Sequence, residues 1–264
     1  MHSSPVVPSA QVEGVEPACR LRIFARKMGG RHGRQEPLLG PVGSRTVTAI
    51  ADPHAAQDAA AASAASGFSA SELQRFELFP TRIWQARLAS LRGHMDEWVA
   101  AVLRMRAASP KPAGRTNRCG WNSEDMAVLE QPVFAPLRAA VRAGCAGALR
   151  EMGVSGISFD LQSWVNLHDR GGFNFLHVHE GCLLSGSFYL QVPPGSGCFV
   201  FRDPRPGVVH GYVKGAVANG YSDIQLTPDA GLLVLFPCWM EHYVEPHDSD
   251  EPRIVIAFNA LPKA

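Results

Sequence analysis

The side chains best suited to chemistry in this chain are histidines. His177 and His179 stand one residue apart in Phe173-Asn-Phe-Leu-His-Val-His-Glu180. In an extended strand, residues two apart project from the same face, so both imidazoles point together. Two imidazoles on one face can take adjacent positions on a divalent metal, with a third ligand supplied from elsewhere in the fold. His242 is the best candidate, because it follows the apolar run Leu232-Leu-Val-Leu-Phe-Pro237 and starts the next apolar stretch. Eleven residues later Arg253 heads Ile254-Val-Ile-Ala-Phe-Asn259. A buried guanidinium there needs an anionic partner, and the carboxylate of a bound dicarboxylic acid supplies one through a bidentate pair. The same His-x-His spacing also occurs on solvated faces and in hydrogen-bonded cores.

The elements that must position these groups fall into two parts. Around 77–84 an apolar stretch with β-branched and aromatic residues and a central proline reads as an edge strand. Leu88, Leu91, Met95, Trp98, Val102 and Met105 then recur at three- and four-residue spacing, one stripe of a helix running toward Ala107. Pro110 and Pro112 end it. Gly120-Trp121-Asn122-Ser123 reads as a loop, and 133–152 as a second helix. From Ser158 onward the pattern changes to short β-type runs at 159–167, 173–179, 185–192, 198–201, 223–226, 232–236, 242–244 and 254–259. The chain is therefore α+β, with a jelly roll closed against edge pairing and the helices packed on one sheet.

Composition sets the outer limits. The 264 residues include 46% apolar and 19% charged side chains, a globular balance able to bury a sizeable core. A formal net charge of +1 creates no field that would recruit nucleic acid or an anionic membrane. No apolar run approaches the roughly 20 residues that span a bilayer, so neither nucleic acid nor membrane is expected as a partner. Six cysteines without a C-x-x-C pair indicate neither a disulfide framework nor a zinc ribbon. Residues 1–72 are rich in Arg, Ala and Ser and read as a poorly ordered extension, leaving 73–264 as the catalytic domain. The scattered cysteines lead to the expectation of a cytoplasmic location, or an organelle if the Arg-rich extension is a transit peptide, against which Glu13, Glu16 and Glu36 weigh.

Several segments together carry a resemblance. They are Phe79-Pro80-Thr81, Gly120-Trp121-Asn122-Ser123, Trp164-Val-Asn166, Asn174 with His177-x-His179, Ser185-Gly186 with Phe188-Tyr189, Phe201-x-Asp203-Pro204-Arg205, Phe236-Pro237-x-Trp239 with His242, and Arg253 through Asn259. In this order they make residues 76–259 resemble a family of 2-oxoglutarate- and Fe(II)-dependent oxygenases with the double-stranded β-helix fold. The resemblance implies Fe(II) on His177, His179 and His242, and Arg253 on the C5 carboxylate of 2-oxoglutarate. It implies hydroxylation of a small-molecule or peptide substrate with release of succinate and CO2.

The departures from the wider pattern concern charge. Histidine stands at position 179 where the superfamily usually places a carboxylate, so Fe(II) with 2-oxoglutarate sums to zero here instead of minus one. Neutral imidazole ligands also predict that metal affinity falls as pH drops toward about 6.5. Glu180 is the substitute carboxylate if a bulge turns it inward; a vacant ligand position at Gly181, with His179 as first ligand, is a further arrangement. Val255 lacks the hydroxyl that often follows the arginine, which makes Tyr189 the candidate helper at the C5 carboxylate. Asn166 shares a face with Trp164 and could bond the cosubstrate. Asn174 reads as a turn residue, Asp203 with Arg205 as a loop-fixing ion pair, and His94, His168, His210 and His247 as surface residues. The Gly- and Pro-rich segment 202–221 is the candidate lid.

Two other functions share these residues. One is a cupin-like three-histidine iron dioxygenase that does not use 2-oxoglutarate. The other is a metal- or ligand-binding module without turnover. Arg253 discriminates the first, and oxygen consumption the second.

Overall fold

A computed structural model describes residues 74, 80–154, 156–207 and 223–263. The 1–72 extension, the start of the 77–84 stretch and most of the candidate lid lie outside these residues. Strand β1 spans Trp84–Arg87, later in sequence than the apolar stretch suggests. After a short 3-10 segment, helix α1 runs over Met95–Ala108, with Asp96 and Glu97 at its positive N-terminal end. Strand β2 is Asn117–Asn122. Helix α2, Ala135–Glu151, carries Pro136 in its first turn, where the missing N–H costs nothing.

The β part follows as β3 (Phe159–His177), β4 (Leu184–Gln191), β5 (Phe199–Arg202), β6 (Asp223–Leu226), β7 (Leu232–Pro237), β8 (His242–Val244) and β9 (Arg253–Pro262). The strands hydrogen-bond in the order β1-β7-β4-β9-β3-β8-β5-β6, with β2 also on β3. This curled antiparallel sheet is a double-stranded β-helix, as expected.

Strand β3 makes the curl. Residues from Phe159 to His168 pair with β9, whereas Asn174 and His177 pair with β8. Between them, Asp169 to Gly172 carry the strand from its pairing with β9 to its pairing with β8. Gly171 has a φ of +80°, a left-handed conformation that side chains avoid. A Cβ on Gly172 would lie 2.7 Å from the Cys119 carbonyl oxygen. The glycine pair that reads as a break between two strands is therefore a corner within one. The Gly120 to Asn122 segment, expected as a loop, belongs to β2, where Trp121 and Asn122 sit opposite Leu167 and Asn166.

Strand alternation separates two interiors. Leu161, Val165, Leu167, Phe188, Leu233, Leu235, Ile254, Ile256 and Phe258 face Trp98, Val102, Leu137 and Val141 of the helices. The indole of Trp98 is fully buried and donates to the Val133 carbonyl at 2.8 Å, tying α1 to the start of α2. On the other face, Tyr189, Phe199, Phe201, Leu232, Val234, Phe236 and Val255 form a second apolar cluster inside the roll. The polar candidates share that inner face.

Candidate metal and cosubstrate site

His177 is the last residue of β3 and lies directly opposite His242, the first residue of β8. Its orientation depends on a bulge. Asn174 pairs with Val244 and His177 with His242, so β3 spends one residue more than β8 between those pairs. The extra residue rotates the strand by one position, and Asn174 and His177 both line the cavity despite their odd spacing. Phe175 and Leu176, the residues between them, are exposed.

His179 lies beyond the strand end, so strand alternation does not position it. Its backbone N–H donates to the Cys238 carbonyl at 2.9 Å, holding it to the turn that leads into His242. The three imidazoles converge: ring centroids are 4.2 Å apart for His177 and His242, and 5.1 Å for each pair with His179. One nitrogen from each lies within 4.8 Å of the others. Glu180, the alternative ligand, is exposed at the mouth of the cavity and outside this cluster.

Each ring has its second nitrogen engaged. Nδ1 of His177 bonds the Phe175 carbonyl at 2.7 Å and Nδ1 of His242 bonds the Met240 carbonyl at 2.8 Å. A carbonyl oxygen can only accept, so both Nδ1 atoms carry the proton and both Nε2 lone pairs are free. Nδ1 of His179 meets Oδ1 of Asn259 at 2.5 Å, which fixes the same tautomer. Burial holds all three imidazoles below their ordinary pKa, His177 at about 4 and His242 well below 6.5, and the neighbouring rings push His177 and His242 in the same direction. Three neutral imidazoles with lone pairs aimed at one region repel unless a cation lies between them, and imidazole suits Fe(II), Ni(II) and Zn(II) alike. The residues fit a metal.

Around them is a cavity of about 280 Å³, near the lower end of small-molecule sites at roughly 300 Å³. Phe199 stacks on His242 with centroids 5.2 Å apart, Phe236 meets its edge at 4.7 Å, and Trp164 lies 5.6 Å from His179. These rings give the metal end an apolar wall. At the other end of β9, Arg253 reaches the cavity while only 1% exposed. Its Nη1 donates to Nδ1 of His168 at 3.1 Å, and no acidic side chain pairs with it among the described residues. Burial lowers the Arg253 pKa, opposed by the charge and hydrogen bond of Tyr189.

Tyr189 is fully buried with its ring 5.2 Å from the Arg253 guanidinium carbon. It is thus placed against the arginine and does not itself line the cavity. Asn166 lines the cavity and opposes Asn122, whose Nδ2 is buried without a protein partner. Asn174 is a buried strand residue bonded to the Thr116 hydroxyl at 2.9 Å, and not a turn residue. Asp203 and Arg205 form the expected ion pair at 2.7 Å.

His168 and His247 correct the surface assignment. His168 is fully buried and opposes Arg253 in register; His247 is 1% exposed and bonds the Glu251 carbonyl at 2.7 Å. Desolvation first, then the Arg253 charge, lowers His168 to about 3. As a neutral ring it accepts from the guanidinium, satisfying one arginine donor without cancelling its charge. The even-numbered run Gln162, Trp164, Asn166, His168 was the available signal, since alternation puts His168 on the inner face.

Comparison with known proteins fits this arrangement. Residues 162–259 match the model of a family described as "Putative 2OG-Fe(II) oxygenase". Among solved structures, the non-haem α-ketoglutarate-dependent epimerase SnoN of nogalamycin biosynthesis is 18% identical, with 80% of this chain and 82% of that one covered and a TM-score of 0.50. The carbocyclase SnoK of the same biosynthesis is 16% identical over 68% and 79%, also at 0.50. HygX from Streptomyces hygroscopicus, with nickel, 2-oxoglutarate and hygromycin B bound, is 13% identical over 72% and 88%, again at 0.50. At such identities the likeness concerns the fold. No curated protein matches the chain. The matched family and the fold are those of Fe(II)- and 2-oxoglutarate-dependent oxygenases, which are oxidoreductases. The match to the 2OG-Fe(II) oxygenase family model spans residues 162–259 and takes in His177, His179, His242 and Arg253.

Proposed function

We propose that the protein hydroxylates an organic substrate, with Fe(II) held by His177, His179 and His242 and the C5 carboxylate of 2-oxoglutarate held by Arg253. The balanced reaction joins substrate R–H, dioxygen and 2-oxoglutarate to give R–OH, succinate and CO2. The carrying observation is Arg253: a buried cation faces the same cavity as the three imidazoles and has no acidic partner among the described residues. A buried charge left unpaired is costly, and a bidentate carboxylate relieves that cost.

When bound, the iron supplies dioxygen activation coupled to decarboxylation of the 2-oxo acid. The residues of the chain supply position and environment. Arg253, oriented by His168 and Tyr189, fixes one end of the cosubstrate, and Asn166 offers a carboxamide beside it. Phe199, Phe236 and Trp164 keep the metal end apolar, which restricts water and strengthens the electrostatic contacts there. The three Nδ1–H groups hold the ligating nitrogens in one tautomer. We place the substrate, a small molecule or a peptide, at the open side by Arg115 and Glu180.

The three-histidine set equally suits an iron dioxygenase that needs no 2-oxoglutarate, so the test is directed at Arg253. Purified Fe(II) protein should bind 2-oxoglutarate and release succinate, and Arg253→Met should lose both while retaining iron. Oxygen consumption indifferent to 2-oxoglutarate in both proteins would support the other enzyme, and no consumption at all a binding module.

A further inference from the structure

Position 179 is where a carboxylate would give the iron a negative charge, and its imidazole is held differently from the other two. His177 and His242 bond backbone carbonyls two residues away. His179 bonds a side chain eighty positions distant in sequence, Asn259 of β9, through Nδ1 to Oδ1 at 2.5 Å. The Ser185 hydroxyl lies 2.8 Å from that same Oδ1 and 3.1 Å from Nδ1. On its other side, the Asn259 Nδ2 donates to Oε1 of Gln162 at 3.3 Å. Ser185, Asn259 and Gln162 form one cross-strand row over β4, β9 and β3.

This row determines which end of the amide meets the ring. With Nδ2 committed to Gln162 and the Ser185 proton directed to Oδ1, the oxygen faces His179. A bare Nδ1 would then set lone pair against lone pair at 2.5 Å, so Nδ1 is protonated and Nε2 is the ligating atom. Both Asn259 and Ser185 are buried, and the network is not replaceable by bulk water.

Resting on the proposed function, we propose that Asn259 is the positioning residue for His179 and sets the charge of the iron centre. Its neutral oxygen orients the ring while leaving the ligand set uncharged. An aspartate there would pull the Nδ1 proton toward itself and make His179 a stronger donor. The role is exerted through the ring, since Asn259 meets His179 at Nδ1, the nitrogen other than the ligating Nε2.

The test uses the full chain loaded anaerobically with Fe(II) and then with 2-oxoglutarate, whose 2-oxo acid group on Fe(II) gives a visible charge-transfer band. Asn259→Leu should weaken Fe(II) binding about 10- to 100-fold, the usual effect of losing a partner behind a metal-bound histidine. Asn259→Asp should retain iron and move the band to lower energy, because a richer iron gives up its electron more readily. Ser185→Ala should weaken Fe(II) binding less than Asn259→Leu. A wild-type band with Asn259→Asp folded, iron-loaded and spectrally unchanged would overturn the inference. Wild-type iron affinity in Asn259→Leu would do the same. Absence of the band in wild-type protein that retains iron would instead overturn the proposed function.

Discussion

Two faces of β9 run along one backbone and serve different ends. Ile254, Ile256 and Phe258 pack toward the helices, while Arg253, Val255, Ala257 and Asn259 line the cavity. Burial does not separate them: Arg253 is 1% exposed and Phe258 is fully buried. What separates them is completion. The helix face is filled by its own neighbours, Trp98, Leu137 and Val141, whereas the cavity face presents a cation that a ligand completes and a carboxamide turned to His179. Substitutions on the first face should change stability, and substitutions on the second should change binding.

The largest effect is expected at the metal end. His242→Ala should lower Fe(II) affinity by about 100-fold or more, beyond the loss of a supporting residue, and reduce succinate release to background. Its unfolding midpoint without metal should stay close to wild type, as read by thermal denaturation. Phe258→Ala should behave oppositely, losing about 3–5 kcal/mol in urea unfolding while the folded protein keeps its iron affinity. Both losses appearing together in either variant would break the division of the strand.

Arg253→Met is the next step down. Removing one partner of a buried charge pair costs about 2–5 kcal/mol, so 2-oxoglutarate binding by calorimetry should weaken about 30-fold or more, with Fe(II) affinity unchanged. Equal affinity in the variant would remove the arginine from the site.

His168 adds a pH dependence of stability that is absent at neutral pH and grows only as the solution is acidified. Its folded pKa is about 3, below the ordinary value near 6.5. Below pH 6.5 the unfolded chain binds a proton that the folded chain refuses, so stability is fully present above 6.5 and is lost as pH falls toward 3. The slope is about 1.4 kcal/mol per pH unit for this one group. His168→Gln should shallow the stability-versus-pH curve over that window in chemical denaturation, and an unchanged slope would count against a neutral buried ring. The same burial revises the expected pH response of the metal. With His177 near 4, proton competition at that ligand begins well below the 6.5 suggested by an unperturbed imidazole.

Alternation made much of this legible from sequence. Strands β4 to β9 follow their apolar runs closely, and His177, His242 and Arg253 reach the cavity expected of them. The misplacements share a cause: local cues cannot show which distant backbone a segment meets. Gly171 and Gly172 read as a break because the corner they form depends on Cys119 approaching from β2. His168, followed by Asp169 and Arg170, looks solvated until β9 sets Arg253 opposite it. His179 is held by the Cys238 carbonyl and Asn259, neither of which its neighbours in sequence announce. The support at Asn259 was hidden for the same reason, at the far end of a strand recognised for its arginine.

The most direct test is a crystal structure of the Fe(II) protein grown anaerobically with 2-oxoglutarate. Nε2 of His177, His179 and His242 should lie on the metal, with the 2-oxo acid chelating it and the C5 carboxylate paired to Arg253. A carboxylate from Glu180 in place of His179, or a cosubstrate that leaves Arg253 unpaired, would contradict it.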